Sequence, residues 1–84
     1  MENTIMTTDW INHYIKKLCE IDEVLESGNT TLIGIKETLN EEFCSKTTIS
    51  ASEKLQTTIN STNNSREDIS EAINMLRSII VELA

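Results

Sequence analysis

Proline is absent from this 84-residue sequence, and glycine occurs only twice. Both absences favour long helices, because proline and glycine are the residues that most weaken a helix interior. Few β-branched residues alternate with polar ones, so a sheet is a poor fit. We therefore expect an all-α fold, with residues 1–84 forming one small helical domain. A chain of this length buries little surface alone and is marginally stable unless a partner or a staple supports it.

Residues with site chemistry are also scarce. The sequence has one histidine and two cysteines, Cys19 and Cys44, whose spacing matches no zinc motif. Reduced, half-buried thiols are favoured over a disulfide. No nucleophile stands in a recognisable catalytic setting, and no glycine-rich phosphate loop is present. We expect a protein that is not an enzyme and that binds no metal or cofactor.

Positive charge is in short supply, since seven basic residues face fourteen acidic ones and the net charge is −7. Nucleic-acid binding needs clustered Lys and Arg, and here the basic residues are scattered. No signal sequence and no apolar run of membrane-spanning length is visible. The sequence therefore predicts a cytoplasmic protein that binds another protein, with neither nucleic acid nor a membrane span.

Apolar residues at helical spacing predict a first helix over about 9–27, capped by Thr8 and ended by Gly28. A second helix is expected over 30–44, with Asn29, Thr30 or Thr31 as its cap.

The next segment, 45–64, is unusually polar, and twelve of its twenty residues are Ser, Thr or Asn. These side chains compete with the backbone for hydrogen bonds, so composition favours a loop or insertion over a helix. The alternative is a weak helix, because the apolar spacing of the following helix extends back through Thr62 and Leu55. In that case the protein is a long helical hairpin.

A third helix is predicted over 65–84, where "SRED" resembles a capping box. Its apolar stripe, with Met75 and Ile79 beside it, is wider than a two-stranded contact needs. This width indicates that the helix touches both its own core and something outside. Across the three helices we predict that the following apolar residues bind a partner: Ile11, Leu18, Ile21, Leu25, Leu32, Ile35, Ile69, Ile73, Leu76 and Ile80.

Four carboxylates cluster near the end of the first predicted helix: Glu20, Asp22, Glu23 and Glu26. Such a cluster is usually a solvated face. The alternative is an acidic patch that docks a basic partner.

Two segments resemble the MOZART family, the small mitotic-spindle organising subunits of gamma-tubulin complexes. "LCEIDEVLESG" (18–28) is similar to the end of that family's first helix, and "NSREDISEAINMLR" (64–77) to the start of its third. "TTL" (30–32) resembles the start of its second helix. The sequence departs from the family at Ser65 and Arg66, which replace a single proline, and in the long segment 45–64.

The MOZART resemblance implies a non-enzymatic adaptor that completes its core with N-terminal helices of a gamma-tubulin complex protein. It also implies a role in microtubule nucleation and a location at the spindle pole. An alternative resemblance is to the WXG-type helical secretion substrates or accessory proteins of bacterial type VII systems, although the Trp-x-Gly turn is missing. A small acidic phage or viral inhibitor is a third possibility.

Overall fold

The computed structural model describes residues 2–42 and 45–84, with side chains from Thr7 onward. They form two long helices, α1 (Glu2–Glu42) and α2 (Lys46–Leu83), and the described residues contain no strand. The helices pair as a slender antiparallel hairpin whose Cα extents are 64 × 14 × 13 Å. The all-α prediction and the hairpin alternative are confirmed. The prediction of three helices is wrong.

The two helices meet along one stripe on each, which we call the seam. Along both helices its residues are spaced alternately by three and four positions, which is the spacing of a coiled-coil contact. All of them are buried or half-buried, and they are Thr8, Ile11, Ile15, Leu18, Asp22, Leu25, Asn29, Leu32, Lys36 and Leu39 on α1 and Thr48, Ser52, Leu55, Ile59, Thr62, Arg66, Ile69, Ile73, Leu76 and Ile80 on α2.

The best-packed part of the seam lies toward the ends of the chain, away from the connecting turn. There Ile11 and Ile15 of α1 contact Ile73 of α2, and Leu18, Ile69, Leu76 and Ile80 pack around them. No described side chain reaches complete burial. The hairpin therefore has a thin core, as expected when only two helices share one contact.

The predicted break after the first helix does not occur. Gly28 does not adopt the left-handed conformation expected of a C-terminal glycine, and α1 continues through it. Asn29 is buried inside the helix instead of capping a new one, while Thr30 and Thr31 donate to the carbonyls of Glu26 and Ser27. The helix survives these weak formers because seam residues on both sides hold it against α2.

The segment 45–64 is also helical, which corrects the prediction of a polar loop. Its first residue, Ser45, caps α2 by accepting a hydrogen bond from the backbone N–H of Thr48, at 3.2 Å. The predicted capping residue Ser65 instead lies inside α2. Ile59 is buried in the seam, so tertiary contact outweighs the low helix propensity of the surrounding residues.

Substitution of Thr57 by proline tests the helical assignment of 45–64. Thr57 is exposed on α2 and its hydroxyl bonds only to the carbonyl of Glu53. We expect Thr57→Pro to lower the free energy of unfolding by about 3 kcal/mol, because proline removes a backbone hydrogen bond and clashes with the preceding turn. Urea denaturation followed by circular dichroism measures this, with Thr57→Ala as the control. Equal stability of the two variants would mean that the segment is a loop.

Candidate functional site

The hairpin offers two long sides beside the seam, and they differ in chemistry. One side, which we call the polar flank, stands one position after alternate seam residues on both helices, beginning with Ile11 on α1 and Thr48 on α2. Its members are Asn12, Cys19, Glu26, Ile33 and Asn40 on α1 and Ile49, Gln56, Asn63, Ser70 and Arg77 on α2. Hydrogen bonds between the helices lie along it.

The shortest ion pair between α1 and α2 joins two seam residues near the middle of the helices. Arg66 Nε donates to Asp22 Oδ1 at 2.9 Å, and its Nη2 lies 3.3 Å from Asp22 Oδ2. The same Nη2 reaches Glu26 Oε2 at 3.4 Å. Two parallel contacts to one carboxylate fix the geometry of the pair, as arginine does better than lysine.

This pairing shifts the titration of both partners. The hydrogen bond from Arg66 lowers the pKa of Asp22 below its ordinary value of 3.8, and the positive charge adds to the effect against partial desolvation. The hydrogen bond to Asp22 likewise raises the pKa of Arg66, so this guanidinium stays charged.

Two further polar contacts continue toward the turn. Asn29 Nδ2 donates to Asn63 Oδ1 at 2.8 Å, and the Ile59 carbonyl lies 3.5 Å away. Lys36 Nζ donates to Gln56 Oε1 at 2.6 Å. The Oδ1 of Asn29 is buried without a hydrogen-bond partner in this structure. A buried polar residue in a coiled-coil contact costs stability and fixes register, so these contacts set how α1 and α2 align.

The opposite side, the uncharged flank, stands one position before alternate seam residues, which are Ile15, Asp22, Asn29 and Lys36 on α1 and Ser52, Ile59, Arg66, Ile73 and Ile80 on α2. Its members are Tyr14, Ile21, Gly28 and Ile35 on α1 and Ala51, Thr58, Ser65, Ala72 and Ile79 on α2. Equivalent positions of two antiparallel helices are related by a local two-fold axis, so the flank residues of α1 and those of α2 lie on the same side of the hairpin. None of these nine residues carries a charge, in a chain whose net charge is −7.

Large apolar side chains are exposed on this flank and at its outer edge. Tyr14, Ile21, Ile35 and Ile79 are each at least 40% exposed. Trp10, Val24 and Met75 lie beside this flank, further from the seam, and are exposed by 60% or more. Trp10 and Tyr14 contact each other edge to face, with ring centroids 4.6 Å apart. Large exposed apolar patches mark protein-interaction sites, so these exposed side chains make this flank the candidate site.

Two shallow apolar depressions lie along α1 on either side of Gly28. The first is lined by Lys17, Glu20, Ile21, Val24 and Leu25, and the second by Thr31, Gly34, Ile35, Thr38 and Leu39. At Gly28 itself, an added Cβ would meet no atom within 4 Å. Each depression therefore includes one residue of the uncharged flank, Ile21 or Ile35, and the rest of its lining lies beside that flank on α1.

The structure separates the predicted partner-binding residues into two groups. Ile21 and Ile35 are exposed on the uncharged flank. The other eight are seam residues whose apolar side chains pair α1 with α2: Ile11, Leu18, Leu25, Leu32, Ile69, Ile73, Leu76 and Ile80. These eight are buried or half-buried between α1 and α2, so they form the hairpin itself, and their role in binding a partner stays a prediction.

The predicted acidic patch is also divided. Asp22 and Glu26 bind Arg66, while Glu20 forms a 3.6 Å ion pair with Lys17 and Glu23 is exposed. Within the described ranges, no three His, Cys, Asp or Glu side chains come together as a metal site. Cys19 is a free, half-buried thiol, and Cys44 lies outside the described residues.

Sequence reasoning missed most of the exposed apolar residues as a set. Each of these residues stands next to a seam residue in the sequence: Trp10, Tyr14, Val24, Met75 and Ile79. The width of the apolar stripes was the sequence signal that could have identified them. The width of the stripe over 69–83 did predict a second contact surface, and Met75 and Ile79 are exposed there.

No family model matches the sequence, and comparisons with curated proteins and with solved structures found no significant similarity. Neither described helix is apolar over a stretch long enough to cross a bilayer. Functional inference therefore depends on the geometry of the hairpin.

The pH dependence of stability tests the Asp22–Arg66 pair. Because the folded-state pKa of Asp22 lies below 3.8, the unfolded chain binds more protons near that pH. The stabilisation is therefore complete above pH 3.8 and is lost as the pH falls through the lowered value. We expect Asp22→Asn to destabilise the hairpin at neutral pH, with a deficit that shrinks as the pH drops below about 3.8.

Urea denaturation at a series of pH values measures this deficit. Glu23→Gln is the matched control, because it removes the same charge from an exposed neighbour. A deficit for Asp22→Asn that stays constant with pH, or equals that of Glu23→Gln, would contradict the role assigned to the pair.

Proposed function

We propose that this protein is a non-enzymatic helical adaptor that acts by packing its uncharged flank against helices of a protein partner. The observation that carries the proposal is the set of exposed apolar side chains on one side of the hairpin, where no flank residue is charged. The opposite side uses its polar groups to align α1 and α2, so it has less left to offer a partner.

The thin core supports the same proposal. Two helices sharing one seam leave much of their apolar surface in water, and a third or fourth helix against the flank would cover it. Burial of apolar surface contributes roughly 25 cal/mol per Å². Binding would therefore both recruit the partner and stabilise the hairpin.

Within this class, the two-helix architecture favours a WXG-type secretion substrate or accessory protein over a MOZART-type subunit. The MOZART resemblance depended on three helices with a break after Gly28, and α1 runs through that position without one. A hairpin of two long helices is the architecture that the WXG-type resemblance implies. Gamma-tubulin complex proteins remain the partner to look for under the first resemblance, and a secretion ATPase or its substrates under the second.

Two isoleucines on opposite flanks provide a matched test. Ile35 lies on the uncharged flank and Ile33 on the polar flank, and their exposures are 46% and 42%. We expect Ile35→Glu to reduce capture of the partner from the native cell about tenfold or more, since a glutamate at a desolvated contact is costly. Ile33→Glu adds the same charge two residues away and should leave capture near that of the wild type.

Affinity capture with the tagged full-length chain, followed by quantitative mass spectrometry, measures this difference. Circular dichroism establishes that both variants keep the helix content of the wild type. Equal capture by the two variants would overturn the assignment of the uncharged flank as the binding surface.

A further inference from the structure

We propose that one of the two depressions on α1 docks a single basic amphipathic helix of the protein partner. This depression, which we call the Val24 depression, is lined by Lys17, Glu20, Ile21, Val24 and Leu25. The inference rests on the proposed function, because Ile21 belongs to the uncharged flank and Val24 lies beside it. It assigns the partner a charge and a place of contact.

Two exposed apolar side chains make the Val24 depression a place for an apolar anchor. Val24 is 70% exposed and Ile21 is 50% exposed. The volume of the depression is about 280 Å³, which is below the roughly 300–1,000 Å³ of pockets that enclose small molecules. A shallow recess of this size suits one or two side chains of a helix that lies across it, as in helix-in-groove recognition.

Negative charge is concentrated at the level of this depression. Arg66 bonds to Asp22, so residues 62–71 of α2 lie level with residues 17–26 of α1. The α1 segment holds four acidic residues and one basic residue, and the α2 segment holds three and one. These twenty residues therefore carry a net charge of −5, out of −7 for the whole chain. A partner surface that approaches here meets a negative potential, which favours lysine and arginine.

Several of these acidic side chains face the solvent beside the depression. Glu20 lines it, and Glu23 adjoins Val24 in the sequence. On α2, Asp68 is level with Glu20 and stands seven residues before Met75, so both lie along the same edge of the uncharged flank. Glu20, Glu23 and Asp68 are all exposed. A helix whose apolar side chain contacts Val24 can therefore place basic side chains near acidic groups of both α1 and α2.

Lys17, the basic residue of the lining, is a weak obstacle to such a partner. Its Nζ lies 3.6 Å from Glu20 Oε2, and at least half of each side chain is exposed. An ion pair this exposed contributes little and is screened by salt. The Lys17 side chain can therefore turn away while a basic residue of the partner takes its place beside Glu20.

The second depression differs in charge, which makes the Val24 depression the preferred place for a basic helix. The second depression is lined only by uncharged residues, which are Thr31, Gly34, Ile35, Thr38 and Leu39. Lys54 is level with Gly34 and stands fourteen residues before Asp68, along the same edge of α2. A basic helix thus meets an acidic side chain at one end of the flank and a basic one at the other.

Two synthetic helical peptides test the charge of the partner. Each has about twenty residues, a length of about 30 Å, with leucine on its apolar face. The polar face is lysine in one peptide and glutamate in the other. Fluorescence anisotropy of the labelled peptides, titrated with the purified full-length chain, measures binding. We expect the lysine peptide to bind at least about tenfold more tightly than the glutamate peptide.

A pair of charge reversals locates the contact. We expect Glu20→Lys to weaken binding of the lysine peptide about tenfold or more, because it reverses a charge at the depression. Glu53→Lys is the matched control, since it changes the net charge equally at an exposed α2 residue level with Ile35, about 22 Å from Glu20. Circular dichroism checks that both variants remain helical. Equal weakening by the two variants, or equal binding of the two peptides by the wild type, would overturn the proposal.

Two exposed valines test the apolar anchor. Val24 is 70% exposed in the depression, and Val81 is 74% exposed near the end of α2. We expect Val24→Ser to weaken binding of the lysine peptide about fivefold or more, because it removes apolar contact at the anchor. Val81→Ser makes the same change away from the depression and should bind as the wild type does. Equal binding by the two variants would contradict the assignment of the Val24 depression.

The outcomes also separate this inference from the proposed function. A chain that binds the two peptides equally, while its partner capture still depends on Ile35 and not on Ile33, would leave the adaptor proposal in place. It would remove the basic helix as the occupant of the Val24 depression.

Discussion

The contact between two stripes of side chains, spaced alternately by three and four residues, determines the rest of this structure. Helices of about forty residues with many Ser, Thr and Asn are weak on their own, because these residues favour non-helical conformations. Their seam residues recur on one face for the whole length of both helices. Packing of these faces supplies the free energy that local helix propensity lacks. Both helices are therefore continuous through segments whose composition favours a break.

The seam is not uniform, and its two halves have different roles. Toward the chain ends it is apolar, with Ile11, Ile15 and Ile73 at its centre. Toward the middle and the turn, Asp22, Asn29 and Lys36 replace apolar residues and bond across to α2. The apolar half contains the hydrophobic cluster. The polar half fixes alignment, because a shift of register would leave partly buried charges and amides unpaired.

The same division decides which side of the hairpin is free to bind. Polar seam residues on both helices lean toward one side, where they meet the side chains of the polar flank. The other side receives none of them and keeps exposed apolar residues around small central positions, Gly28 and Ser65. The proposed adaptor function depends on this asymmetry. One side maintains the hairpin, and the other offers apolar area to another helical surface.

Much of this fold could be predicted from the sequence, and the errors have a common physical cause. The all-helical class followed from the absence of proline, and the spacing that runs back through Thr62 and Leu55 supported the hairpin only as the alternative to three helices. Gly28, Asn29 and the polar run at 45–64 carry real helix-ending signals, but tertiary packing outweighs them. The Asp22–Arg66 pair joins residues 44 apart, and no local pattern identifies such a partner before the register is known.

The sequence also could not separate the residues that pair α1 with α2 from the residues that stay exposed to a partner. Ile21 and Ile35 belong to the same broad stripes as Leu18, Leu25 and Leu32, and sequence alone does not say which part of a stripe the second helix covers. Only the direction and register of α2 make that division.

Small-angle X-ray scattering of the wild-type chain tests the central claim, that the seam holds α1 and α2 together as one extended hairpin, most directly. The account predicts a rod-shaped particle with a Cα radius of gyration of 18.9 Å and a longest Cα dimension of 64 Å for each hairpin. A compact globular domain of 84 residues has a radius of gyration of about 12 Å, and that result would contradict the account.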